Sequence, residues 1–327
     1  MTAYRQNCER KKRKIKYILS IPCVCGVCII ALFLSNHLIS KNNFKIESPF
    51  KTQEARTSYE VNGITANNLY SSNAILISLG DNQILLNRSG DERIYPASLT
   101  KIMTAILAIE NLPDLHEKIY LSEEMFKELY SEDASMAGFS PNERVEAIDL
   151  IYGVLLPSGA ESCIGLANEI AGSEENYVKL MNEKAKKLGM NDTHFTNSTG
   201  LHHRKHYSTV NDIAKLLQYA LQNDTFREAY TSKSYTTKST NINPDGITFQ
   251  STMFKHMDTE YVNKVSIEGG KTGYTEEAKL CLASLAKING KEYILVTANA
   301  NGNPETEQFN ILDAFNIYNQ VFQNNAY

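Results

Sequence analysis

Ser98 and Lys101 stand three residues apart in "YPASLTKIMTA" (residues 95–105), at the head of an apolar, helix-like run. Positions three apart share one face of a helix, and Pro96 marks the turn that precedes it. A serine hydroxyl attacks poorly until a base removes its proton. A lysine becomes that base when desolvation and nearby positive charge lower its pKa, and the positive end of a helix acts in the same direction. A solvated helix face would show the same spacing and do no chemistry. Ser48 and Lys51 repeat the spacing in "SPFK", ahead of any helical pattern, and carry no functional weight. Two other stretches hold groups that could serve such a centre. In "EGGKTGYTEEAKLCLAS", Lys271, Thr272 and Gly273 precede an apolar run. A substrate backbone could lie along such an edge while the lysine and hydroxyl hold a carboxylate. Alone, the tripeptide reads as a plain turn before a strand. In "LLPSGAES", Ser158 falls between two helical patterns, where a hydroxyl could relay a proton from the lysine to a leaving amine. Alone, it reads as a helix-breaking turn.

The elements that must position these residues follow from periodicity and turn chemistry. Two short apolar runs flank Gly80-Asp81-Asn82 and predict a hairpin. Residues 98–111 predict a helix. "ERVEAIDLIYGVLLPSGAESCIGLANEIAG" predicts two helices meeting at Pro157-Ser158-Gly159. "NYVKLMNEKAKKLGM", "STVNDIAKLLQYALQN" and "TEQFNILDAFNIYNQVF" predict further helices. "KLCLASLAKINGKEYILVTANA" predicts two strands joined at Asn289-Gly290. Strands at both ends around a helical middle predict a mixed α/β body whose sheet is closed by its two ends.

With 327 residues, 42% hydrophobic and 21% charged, the chain has the composition of an ordinary globular protein with room for a sizeable core. Net charge is −4, unevenly spread: seven of the 33 basic residues precede the first apolar run, with only Glu9 against them. The remainder is acidic, which argues against nucleic acid as a partner. Tyr17 to Leu34 is uncharged, and at about 1.5 Å per residue its length just matches a bilayer core. Basic residues before it place its N-terminus in the cytoplasm. "SNHLISKNN" offers no small-x-small cleavage site, so an uncleaved anchor is expected rather than a signal peptide. The expected layout is a cytoplasmic tail (1–16), a single transmembrane anchor (17–35), a polar stalk (36–68) and an extracytoplasmic body (69–327). Only Cys163 and Cys281 of the six cysteines belong to that body, and two buried free thiols are expected.

Order and spacing change the weight of the three motifs. Ser-x-x-Lys at a helix start, Ser-Gly-x after an apolar helix and Lys-Thr-Gly entering a terminal strand form the signature set of serine penicillin-recognising enzymes. "YPASLTKIMTA", "LLPSGAES", "LMNEKAKKLGMNDTHFTNSTGLHHRKHYST" and "GGKTGYTEEAKLCLAS" resemble the low-molecular-mass D-alanyl-D-alanine carboxypeptidases, over about residues 60 to 325. The resemblance implies a β-lactamase/transpeptidase-like α+β fold, an antiparallel sheet flanked by helices beside an all-helical subdomain. It implies Ser98 as acyl-ester nucleophile, Lys101 as its proton acceptor and Ser158 as the second-motif hydroxyl. Lys271 and Thr272, followed by Gly273, would bind the substrate's terminal carboxylate. The oxyanion donors would be the Ser98 N–H and one on the strand after Gly273. Substrates would be peptidoglycan stem peptides ending in D-Ala-D-Ala, and β-lactams would be covalent inhibitors. Neither cofactor nor metal is implied.

Three departures stand out. Ala160 occupies the position where the second motif usually ends in Asn, with Glu161 beside it. No arginine follows Arg227, although some relatives use one after the terminal hairpin. The second β-rich domain and C-terminal amphipathic anchor of many relatives have no counterpart in these residues. A β-lactamase is the competing enzyme, but no Glu-x-x-x-Asn string lies between Ser158 and Lys271. A non-catalytic penicillin or peptidoglycan sensor is the competing binder, with Ala160 as its support. A part in glycopeptide resistance is compatible with a short anchored form. His202, His203 and His206 lack an acidic partner at ligand spacing, which makes them a weak metal site.

Overall fold

The computed structural model of the protein describes residues 59–60, 63–132, 134–257, 261–262 and 265–324. The expected tail and anchor, and the Ser48–Lys51 pair, lie outside the described residues.

The chain opens with β1 (Tyr59–Glu60), β2 (Asn73–Ser78) and β3 (Ile84–Arg88), then makes a 3-10 turn (Ala97–Thr100) into α1 (Lys101–Asn111). A helical middle follows: β4 (Lys118–Tyr120), α2 (Glu123–Ser131), β5 (Arg144–Glu146), α3 (Ala147–Leu155), α4 (Ala160–Ala171), α5 (Glu174–Lys187), α6 (Val210–Ala220) and α7 (Asp224–Thr231). The last third holds β6 (Ser234–Thr236), β7 (Thr248–Gln250), α8 (Thr252–Lys255), β8 (Tyr261–Val262), β9 (Val265–Gly273), β10 (Leu280–Ile288), β11 (Lys291–Ala300) and α9 (Phe309–Asn324). Seven strands form one antiparallel sheet in the order β1-β3-β2-β11-β10-β9-β8, so β2 from the start of the body pairs with β11 from its end. The predicted closure by the two ends is thus present. Asn289 and Gly290 both take positive φ, as the tight β10–β11 turn requires.

The sheet is covered on both faces, which is why β2 is buried at all six positions. Alternate residues serve opposite cores. Ile75, Ile77, Leu285 and Val296 face the helical side with α1, α3, α4 and α6, while Leu76, Leu282 and Leu295 pack with Ile311, Ile317 and Tyr318 of α9. Helix α1 runs through the first core and is buried from Lys101 to Ala108.

Three expectations need adjustment. The helix predicted from residue 98 begins at Lys101, because Ala97 adopts a positive φ of 47° and the chain first closes a 3-10 turn. The polar stretch expected to remain stalk up to residue 68 contributes β1 to the sheet edge and buries Ile64 in the α9 core. Lys271-Thr272-Gly273 does not enter a strand but ends one. The glycine-rich segment before it is β9 itself, and a Cβ on Gly269 would stand 2.6 Å from the Tyr230 carbonyl.

Candidate active site

Ser98 sits in the 3-10 turn, and the first residue of α1 is Lys101. The lysine amine lies 3.3 Å from Ser98 Oγ and donates to the Thr199 carbonyl at 2.5 Å. Lys101 is buried, and that burial pushes its pKa below the usual lysine value against the weaker pull of Cys163, Glu161 and Glu174. A buried, lightly paired ammonium is costly, so the neutral amine is favoured. Its hydrogens can serve Thr199 while its lone pair faces the serine hydroxyl. The spacing expected from sequence is realised as this contact.

Thr199 belongs to a loop within one of the stretches that carry the family resemblance, but sequence analysis gave that loop no role at the site. Asn197 Oδ1 accepts the Gly200 N–H at 2.7 Å, and Glu174 Oε1 accepts the N–H and hydroxyl of Ser198 at 2.7 and 2.6 Å. Gly200 has a φ of 84°, and a Cβ there would lie 2.0 Å from the Ala97 carbonyl oxygen. The loop thus presses on the back of the nucleophile turn. The signal available in the sequence was the Asn-Ser-Thr-Gly string, which reads only as a turn.

Ser158 lies in the turn between α3 and α4 with a φ of 69°, a left-handed conformation unusual for serine. Its hydroxyl is buried and has no hydrogen-bond partner. The turn is fixed from behind. The Ala160 N–H donates to the Ser135 carbonyl at 2.8 Å, and Glu161 Oε1 accepts N–H groups of Ala137, Gly138 and Phe139 at 2.7, 2.9 and 3.3 Å. Burial raises the Glu161 pKa and these bonds oppose the rise. Glu161 Oε1 therefore staples segment 137–139 to the turn, while its Oε2 is buried without a hydrogen-bond partner.

Lys271 is fully buried on β9, with its amine donating to the Thr272 carbonyl at 3.0 Å. Burial, and then the charge of Lys101, hold its pKa well below the ordinary value. Thr272 Oγ1 shares a hydrogen bond of 2.7 Å with Thr252 Oγ1. A Cβ on Gly273 would be 3.2 Å from the Ser98 nitrogen, so the end of β9 lies alongside the nucleophile turn. Ser98, Lys101 and Lys271 thus gather where the end of β9 meets the start of α1. Such a set can open an acyl bond and hold an anionic group close to it.

His206 and His202 do different work. Thr196 N–H donates to His206 Nδ1 at 3.2 Å, which leaves Nε2–H to donate to Thr100 Oγ1 at 2.8 Å. Burial pushes the His206 pKa down to about 3. His202 packs edge-on to Tyr95, and its Nδ1 lies 3.5 Å from Glu277. Among the described residues no group of three His, Cys, Asp or Glu side chains is placed to hold a metal ion. Cys163 and Cys281 are buried free thiols, each pushed up to about 12 by burial.

A family profile described as D-alanyl-D-alanine carboxypeptidase matches residues 60–302. The D-alanyl-D-alanine carboxypeptidase DacF of Bacillus subtilis is 33% identical over 238 residues, 71% of this chain but only 58% of DacF. The D-alanyl-D-alanine carboxypeptidase of Streptomyces sp. strain K15 is 30% identical over 251 residues, covering 74% of this chain and 84% of the relative. The crystal structure of the Streptomyces K15 DD-transpeptidase matches with a TM-score of 0.71 and 27% identity, covering 80% of this chain and 100% of that one.

Proposed function

The chain belongs to the D-alanyl-D-alanine carboxypeptidase family, and we propose that it removes the C-terminal D-Ala from peptidoglycan stem peptides ending in D-Ala-D-Ala. The observation that carries this reading is the buried amine of Lys101 at 3.3 Å from Ser98 Oγ. Ser98 Oγ attacks the carbonyl of the penultimate D-Ala as its proton passes to Lys101 Nζ. Developing oxyanion charge is met by the Ser98 N–H and a backbone N–H next to Gly273. Ser158, whose hydroxyl has no other partner, relays that proton from Lys101 Nζ to the departing D-Ala nitrogen, which returns the lysine to its neutral form. The C–N bond breaks, an ester forms on Ser98, and water activated by the same lysine hydrolyses it. Lys271 and Thr272 hold the terminal carboxylate, whose charge favours the protonated lysine. A β-lactam carries a carboxylate and a strained amide in the same relation and would leave a stable ester on Ser98.

Two measurements test the reading: the site of labelling by penicillin and D-Ala release from a D-Ala-D-Ala peptide. Ser98→Ala should abolish both, whereas labelling at another serine would refute the assignment. An amine resolving the ester would give transpeptidation, the activity in the name of the Streptomyces structure, and product analysis separates the two outcomes.

We also propose that residues 17–35 anchor the enzyme with its body outside the cytoplasm. The cluster of basic residues ahead of an uncharged stretch supports this. Among the described residues no helix is long and apolar enough to cross a membrane. Full-length protein should fractionate with membranes, and a mature N-terminus beyond residue 35 would overturn the assignment.

A further inference from the structure

Helix α8 is four residues long, and its first residue is tied to two of the three motifs at once. The Thr252 N–H donates to the Leu156 carbonyl at 3.1 Å, two residues ahead of Ser158. Thr252 Oγ1 shares its 2.7 Å hydrogen bond with Thr272 Oγ1 on β9. The two contacts use different atoms, so the hydroxyl is not needed for the backbone tie. The setting is firm. Ser251 is buried, and its N–H donates to the Lys233 carbonyl at 2.8 Å. Among the described residues β8 pairs with β9 only at Val265 and Ser266. Further along β9 it is α8 that lies against the strand, where a Cβ on Gly270 would collide with Met253 Sδ. Thr252 and Thr272 are each only partly buried, so the hydroxyl pair borders solvent.

A threonine hydroxyl has one hydrogen to give and two lone pairs to offer. Thr252 Oγ1 makes no second hydrogen bond among the described residues. The bond can run in either direction in the free protein, but an anion at Thr272 decides the direction. Were Thr272 to spend its hydrogen on Thr252, it would present only lone pairs to a carboxylate and repel it. With Thr252 as donor, the Thr272 hydrogen is released to the carboxylate and polarised by the bond behind it. We propose that Thr252 is a positioning residue for the substrate's terminal carboxylate, donating to Thr272 Oγ1 so that the Thr272 O–H points at the anion. The proposal rests on the carboxypeptidase reading above and on the place of Thr272 in it. Thr252 acts through Thr272 and not by touching the substrate.

The experiment removes the hydroxyl and keeps the rest. Thr252→Val retains the branched shape and the N–H bond to Leu156, whereas Thr252→Ser retains the hydroxyl. With a peptide ending in D-Ala-D-Ala, Thr252→Val should raise KM about tenfold and leave kcat within about twofold, because the carboxylate is held alike before and during the reaction. Thr252→Ser should restore KM to within about threefold of the wild type. Thr252→Ala carries the same expectation as valine should valine prevent folding. In full-length protein, Thr252→Val should slow labelling of Ser98 by penicillin about tenfold but labelling by penicillin methyl ester at most about twofold, since only the acid offers a charged acceptor. Thr252→Val/Thr272→Val should be no worse than Thr272→Val alone. Equal losses on penicillin and its ester, an unchanged KM, no rescue by serine, or a double variant worse than Thr272→Val would each overturn the proposal. If the wild type releases no D-Ala while penicillin still labels Ser98, the carboxypeptidase reading falls, and the penicillin pair alone decides whether Thr252 serves a carboxylate.

Discussion

In the proposed reaction Lys101 is the base, and its burial lowers its pKa. Acylation needs the neutral amine, so the rate of penicillin labelling should rise with pH through the lowered lysine pKa. Lys101→Ala should cut that rate by about 10² to 10⁴ and flatten the profile; an unchanged profile would remove Lys101 from the role of base. The same burial bears on stability. Lys101, Lys271 and His206 all titrate lower in the folded protein than in the unfolded chain. The unfolded chain therefore binds more protons, and stability falls as pH is lowered through each such window. For His206 the window runs from 6.5 down to about 3. His206→Gln should flatten the loss of stability across that range in acid denaturation, and an unaltered slope would show that other groups dominate. Ser98, Lys101, Ser158 and Lys271 were legible in the sequence because their side chains are rare choices at those spacings. The Thr199 carbonyl was not, since every residue offers a carbonyl and only the fold decides which one meets the lysine.

Gly200 shows how elements hold these residues. At its φ of 84° a Cβ would collide with the Ala97 carbonyl, which backs the nucleophile turn. Gly200→Ala should lower the melting temperature by several degrees and slow acylation at least tenfold, because the turn must move to admit the methyl group. Acylation at the wild-type rate would mean that the loop yields without disturbing Ser98. The two hairpins and the helices from α3 to α6 followed from periodicity and turn residues, and they appear where expected. Strand β9 did not, because its Gly269 and Gly270 read as a turn. Close approach to the Tyr230 carbonyl and to the Met253 sulfur is what requires glycine at these positions. Helices α2 and α7 are short, nine and eight residues, too brief for a clear helical period.

At the scale of the whole body, the two ends of the chain are mutually dependent. Asp313 of α9 accepts the N–H groups of Tyr70 and Ser71 at 2.9 and 2.8 Å, and Thr65 donates to Gln320 at 2.8 Å. Removal of residues 1–54 should leave a folded, penicillin-binding protein. Removal of 1–68 deletes β1 and the buried Ile64, and should cost about 2–4 kcal/mol in denaturant unfolding; equal stability of the two truncations would show that this segment is not part of the body. The pairing of Ala74 with Thr297 spans roughly 220 residues of sequence. A chain emerging N-terminus first exposes the β2–β3 hairpin, Ser98 and Lys101 long before the strands that complete their surroundings exist. Contacts of such long range close slowly, and strands β9, β10 and β11 all come late. Reactivity towards penicillin should therefore appear abruptly, only once β11 is available to join the two ends. Chains halted before Lys291 should carry an intact Ser98 and remain unlabelled. The proposed nucleophile is thus among the first residues of the body to be made and should be among the last to become reactive.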